Sequence, residues 1–131
     1  QRQMCIRDSS KYYVPHHAPD PAVAVELIRG AGGVPVFAHP RATMRGRVVG
    51  VEVIESMIEA GLAGLEADHR DNPEPERARL RELADRHGLI VTGSSDYHGA
   101  GKPNLIGEFT TGEDVLAEIE RQGTGAAVVR G

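Results

Sequence analysis

Tryptophan is absent from the 131 residues and aromatic side chains make up only 4%. Any core must therefore be built from Val, Ile, Leu and Ala, within an apolar content of 40%. There is a single cysteine, so no internal disulfide can form, which fits a reducing cytoplasm. No apolar run approaches the roughly 20 residues of a membrane span, and no signal-peptide pattern is visible. Excess positive charge is also lacking. A net charge of -4 argues against a large nucleic-acid surface held by bulk charge. A small anionic substrate bound through a metal stays compatible with it. Basic residues are almost all Arg, and Ala and Gly are frequent, a composition consistent with a high-GC bacterial gene.

The length fits one small domain or a piece of a larger one. Residues 1–11 show neither periodicity nor turn logic, and Met4 is not first. They read as a non-native or disordered tail, and Cys5 is set aside with them. Residues 12–131 carry the fold.

From Asp20 onward the pattern is regular. Asp20-Pro21 reads as an N-cap with Pro at the first helical position, and Val25, Ile28 and Ala31 recur at helical spacing before Gly32-Gly33. Val34–Ala38 is a short apolar run that reads as a buried strand ending at His39-Pro40. After an Arg-rich loop, a second helix is expected from about Val51 to Ala60, with Val51, Ile54 and Ile58 on one face. Leu62–Leu65 leads into a strand that finishes near Glu66. A third helix is expected over about Glu76 to His87, with Leu80, Leu83, Ala84 and His87 sharing a face. Leu89–Thr92 reads as a third strand, followed by the turn-rich Gly93–Gly99. Thr111 and Asp114 resemble a capping box before a helix reaching Gln122, and Gly125–Val129 reads as a last strand. Alternating strands and helices predict an α/β fold with a parallel sheet or barrel.

Three strands each run into a metal-ligand type of residue: His39, then Glu66 with Asp68 and His69 beyond, then Asp96 and His98. In parallel α/β folds the site lies at the C-terminal strand ends, where such residues can converge. Imidazoles with carboxylates suit zinc, manganese or iron. Each residue has an ordinary alternative. His39 before Pro can be a plain strand end, and Glu66 can pair with an Arg. Asp96 and His98 can be an Asx-turn and a solvent histidine, while the charged loop with Asp68 and His69 can be a solvated face. His16 and His17 read as exposed, and His87 reads as structural in a helix's last turn.

Gly32–Pro40 resembles a segment of the polymerase-and-histidinol-phosphatase (PHP) family of metal-dependent phosphoesterases, in which a strand delivers a metal-binding His before Pro. Gly61–Glu66 resembles a second segment of that family, and Thr92–Gly99 its terminal Asp-x-His metal motif. Tyr12–His16 is similar to a linker in one branch, which holds nucleoside 3′,5′-bisphosphate phosphatases and 5′-to-3′ exonucleases of short RNA. The resemblance implies the C-terminal part of a distorted (β/α)7 barrel, with parallel strands alternating with helices. It implies His39, Asp96 and His98 as metal ligands, Asp96 and His98 as catalytic groups, and Glu66 near the site in an unassigned role. A two- or three-metal cluster is implied, Mn2+ first, with Zn2+ or Fe2+ as alternatives. Some relatives have a substrate-facing His at the position of Asn72, so His69, Arg70, Asn72 and Arg41 are the candidates for substrate contact.

The expected partners are a small phosphorylated substrate or a short RNA end, with no membrane and no large nucleic-acid surface. The alternatives are a non-catalytic PHP-like module, a histidinol-phosphatase-like enzyme or an amidohydrolase-type metal hydrolase. The family's N-terminal His-x-His motif has no counterpart before Tyr12. The chain is therefore expected to be the C-terminal portion of the domain, inactive without the N-terminal half of its barrel.

Overall fold

A computed structural model describes residues 18–101, 103–127 and 129. The expected tail, the Tyr12–His16 segment and His17 lie outside the described residues. Asp20 accepts a hydrogen bond from the Ala22 N–H at 2.9 Å and starts α1 (Pro21–Gly30), with Pro21 in the first turn. Then come β1 (Val36–Phe37), a 3-10 turn (Thr43–Arg45), α2 (Val51–Glu59), β2 (Gly64–Asp68), α3 (Glu74–His87), β3 (Ile90–Gly93) and α4 (Glu113–Gln122). The three strands form one parallel sheet in the order β1-β2-β3. Two β-α-β units thus account for the sheet, as the alternating pattern predicts. Among the described residues the sheet is open, with β1 and β3 as edges.

The core lies on one face of β2. Leu65 and Ala67 are fully buried and alternate with the half-buried Glu66 and Asp68, as the two-residue period of a strand requires. Val25 of α1, Ile54 and Met57 of α2, and Leu80, Leu83 and Ala84 of α3 close over them. Gly64 permits the close approach of β3, because a Cβ there would meet the Ile90 side chain at 2.4 Å. Gly88 ends α3 in the left-handed conformation at φ 64°.

Several boundaries differ from the sequence reading. β1 has two residues rather than five and is half-buried where a buried strand was expected, and β3 is half-buried too. Among the described residues they are the outer strands of the sheet, each paired on one side. β2 runs on to Asp68, and α3 begins at Glu74 because Pro75 is tolerated in a first turn. Met57 rather than Val51 is buried with Ile54 in α2, and His87 is exposed. Thr111 does not cap α4. Its hydroxyl accepts from the Gly93 N–H at 3.1 Å and donates to the Gly93 carbonyl at 2.8 Å, joining the approach to α4 to the end of β3. Residues 125–127, expected to open a last strand, form none. No helix among the described residues is long and apolar enough to cross a membrane.

Leu65 is fully buried in the middle strand of this sheet and shares the core cluster with residues of α1, α2 and α3. Leu65→Ala is expected to cost about 2–5 kcal/mol through lost burial and a residual cavity. Urea denaturation followed by circular dichroism measures it. A change within ~0.5 kcal/mol would show that β2 is not the centre of the core.

Candidate metal and phosphate site at the strand ends

The site is assembled just past the C-terminal ends of the parallel strands. His39 follows β1, His69 and Asp71 follow β2, and Asp96 and His98 follow β3. His39 and Asp96 have positive φ, 31° and 49°, and they are the non-glycine residues with positive φ among those described. Such conformations cost free energy and persist where surrounding contacts enforce them, often at functional sites. Those contacts are present. The Glu66 carboxylate accepts the His39 N–H at 2.9 Å. The Asp96 N–H bonds Ser94 Oγ at 3.2 Å, and buried Asn104 donates to the Ser95 carbonyl at 2.7 Å. Glu66 therefore acts on the backbone of His39, a role that residue spacing gave no means to read.

The side chains meet on Arg45. Its guanidinium contacts His39 Nε2 at 3.2 Å, Asp96 Oδ2 at 2.5 Å and Asp71 Oδ2 at 2.5 Å. The hydrogen bond to Asp96 is the main reason the Arg45 pKa is raised above its usual value. An Arg can only donate, so His39 Nε2 carries a lone pair. His98 Nδ1 lies 2.6 Å from the Asp96 carbonyl, which can only accept, so Nδ1 carries a proton and the neutral ring has its lone pair on Nε2. His98 is otherwise exposed, 3.4 Å from Asp96 Oδ1. His39 and His98 thus both hold the tautomer that ligates a metal through Nε2.

His69 holds the opposite tautomer. Its Nδ1 accepts the Asp71 N–H at 3.0 Å, which leaves the proton on Nε2. Burial lowers its pKa and favours the neutral ring. The ring is fully buried, with its centroid 5.0 Å from that of His39, and Nε2 has no hydrogen-bond partner among the described residues.

The other expected residues divide clearly. Asn72 is fully buried. Its amide donates to the carbonyls of Glu66 and Ala67 at 2.9 and 3.0 Å, and its oxygen accepts the Arg41 N–H at 3.0 Å. The carbonyls lie where the β2-β3 register shifts between Glu66 and Asp68. Asn72 is thus a structural bridge, with its amide hydrogen-bonded within the chain. The Arg41 guanidinium is likewise committed, to Glu76 at 2.7 Å and the Val49 carbonyl at 3.0 Å. It lines a hollow between α2 and α3 that contains none of the candidate ligands. Asp68 pairs with Arg81 of α3. Arg70 is half-exposed, 3.5 Å from Glu108, and borders an open cleft of about 420 Å³ with Arg45, Asp71 and Asn104. Arg45 belongs to the loop after His39 in which Arg41, Arg45 and Arg47 suit phosphate recognition by residue type, whereas Asp71 was not singled out in the sequence. The ligand-type residue Asp71, two beyond His69, was the available signal.

By residue type His39, Asp96 and His98 are donors suited to a divalent cation, and His39 and Asp96 already share one positive group. Among the described residues, no three His, Cys, Asp or Glu side chains close on a single point.

No family model matches the chain. It is 40% identical over 76 residues to a phosphoribosyl 1,2-cyclic phosphate 1,2-diphosphodiesterase of Eggerthella lenta, covering 58% of this chain and 27% of that protein. It is 34% identical over 90 residues to a 3′,5′-nucleoside bisphosphate phosphatase of Chromobacterium violaceum, covering 69% and 32%. A crystal structure from Bifidobacterium adolescentis, assigned as a metal-dependent phosphoesterase, superposes with a TM-score of 0.80 at 44% identity, over 90% of this chain and 42% of that one. A sulfate-bound, metal-free amidohydrolase structure from C. violaceum gives a TM-score of 0.59 at 28% identity, over 84% and 39%. In sequence and fold the chain is thus similar to part of a metal-dependent phosphoesterase, as its motifs imply. It spans about a third or less of the curated relatives it matches.

Asn72→Ala is expected to destabilise the chain by about 1–3 kcal/mol, because buried carbonyls and the Arg41 N–H lose their partner. Chemical denaturation of the variant measures this. An unchanged midpoint would exclude the bridging role.

Proposed function

We propose that the chain is the C-terminal portion of a PHP-type metal-dependent phosphoesterase, built on a distorted (β/α)7 barrel. Its substrates in this reading are nucleotide or short-oligonucleotide phosphoesters, cleaved as by a nucleoside bisphosphate phosphatase or a 5′-to-3′ exonuclease. One observation carries the reading. A His lone pair after β1 and a carboxylate after β3 meet on one cationic group at the C-terminal edge of a parallel sheet. The names of the relatives, a phosphodiesterase and a phosphatase, support the phosphoester as substrate.

His39, Asp96 and His98 would hold the metal, with Mn2+ ahead of Zn2+ or Fe2+. Bound there, such ions supply an activated water and neutralise phosphoryl oxygens. The remaining work falls to the chain. Glu66 holds His39 in its left-handed conformation, and Ser94 with Asn104 holds the Asp96 turn. His98, exposed beside Asp96, is placed either to complete the ligand set or to move a proton. Arg45 and Arg70 line the cleft with forked donors suited to phosphate oxygens. In this reading, the rest of the protein supplies further ligands and the strands that close the barrel. The substrate is a small phosphorylated molecule or a short RNA end in the cytoplasm. A second reading, a metal-dependent amidohydrolase, is favoured by the C. violaceum structure of that name.

The test is an assay of the full-length protein with Mn2+ against nucleoside bisphosphates, histidinol phosphate and amide substrates. Phosphoester turnover is expected, and turnover of amides alone would select the second reading. Asp96→Asn should lower turnover at least ~100-fold and reduce bound metal in elemental analysis. His87→Ala should leave both unchanged. Equal metal in the Asp96→Asn and parent proteins would remove Asp96 from the ligand set.

A second test concerns completeness. The 131-residue chain alone is expected to show no turnover in the same assay. Turnover comparable to the full-length protein would overturn the view that the site needs the rest of the barrel.

A further inference from the structure

Arg45 touches three groups of the site at once: the His39 Nε2 lone pair, the Asp96 carboxylate and the Asp71 carboxylate. An imidazole nitrogen has one lone pair. Arg45 and a metal ion therefore exclude each other at His39 Nε2, and their positive charges repel at Asp96.

The arrangement also looks easy to leave. Arg45 ends a three-residue 3-10 turn with no buried residue, beside Met44, which is 88% exposed. Its side chain is 36% exposed, and it is not a member of the core cluster. Meanwhile His69 Nε2–H is buried beside His39 without a partner among the described residues. A buried donor left unpaired is costly, so this arrangement carries a penalty that a rearranged site can relieve.

We propose that Arg45 is a displaceable counter-cation, holding the metal's place on His39 and Asp96 and giving both up when a divalent ion binds. This rests on the metal site proposed above. The bond from Arg45 Nε to Asp71 is separate from the contacts to His39 and Asp96, and it gives the released guanidinium an anchor. Asp71 lines the open cleft with Arg70 and Asn104, so an Arg45 held there faces an incoming anion. One residue then has two duties in sequence. It neutralises the acidic pair while no metal is bound, and it presents a forked donor to phosphate once the metal has taken its place.

The experiment measures Mn2+ binding by the electron paramagnetic resonance signal of the free ion. It uses the 131-residue chain as parent, Arg45→Gln and Arg45→Lys, with circular dichroism to confirm that each folds. Arg45→Gln keeps a hydrogen-bonding group without the charge and is expected to bind Mn2+ roughly three- to tenfold more tightly than the parent. Arg45→Lys, which keeps a charge but loses the fork, should fall between the two. Tight binding by Arg45→Gln with none by the parent would also support the proposal. Equal or weaker binding by Arg45→Gln would overturn the displacement and leave the metal site standing. Binding by none of the three would overturn the metal site itself, and the displacement with it.

Discussion

β2 lies between β1 and β3, and both faces of the molecule's chemistry depend on it. Its period of two sends Leu65 and Ala67 into the core and leaves Glu66 and Asp68 on the other side. The buried pair fixes where the strand sits under α1, α2 and α3. Glu66 then reaches across to the His39 backbone, so the packing of the core sets the position of a candidate ligand on a neighbouring strand. Where the β2-β3 register shifts, Asn72 takes up two carbonyls and returns the chain to the β1 loop through the Arg41 N–H. The polar side of the strand end is thereby hydrogen-bonded to the loop that carries His39.

Two kinds of strain are concentrated at this edge. His39 and Asp96 have backbones in a region that non-glycine residues seldom occupy, and each is held there by a neighbouring polar contact. Carboxylates also gather, with Asp71 and Asp96 both drawn to the Arg45 guanidinium. Three histidines in the same neighbourhood are sorted by what their other nitrogen meets. A backbone carbonyl sets one tautomer at His98, a backbone N–H sets the reverse at His69, and a guanidinium leaves the lone pair of His39 directed at positive charge. The same residue type therefore presents a ring lone pair at two positions and an N–H at the third.

Much of the fold was legible because it depends on local patterns. The Asp20-Pro21 start of α1, the stop at Gly88 and the alternation of helices with apolar runs each reflect short-range backbone preferences. The candidate site rests on the same kind of pattern, since strand ends in parallel sheets are where ligand-type residues collect. His39, Glu66, Asp96 and His98 are candidates for that reason. What failed was also local in form. The Thr111–Asp114 pattern looked like a capping box, yet the Thr111 hydroxyl bonds Gly93, a residue far away in sequence.

The sequence by itself determined the parallel α/β class and the order in which candidate ligands leave the strands, because periodicity and end signals act over a few residues. Only the tertiary structure decided which polar groups face one another. It committed Asn72 to two carbonyls and Arg41 to Glu76, and it joined Arg45 to Asp71 and Asp96. It also set each histidine's tautomer. Long side chains reach several ångströms in many directions, and an imidazole takes its tautomer from whichever donor or acceptor packs against it. Those partners come from loops far apart in the chain, joined by the sheet.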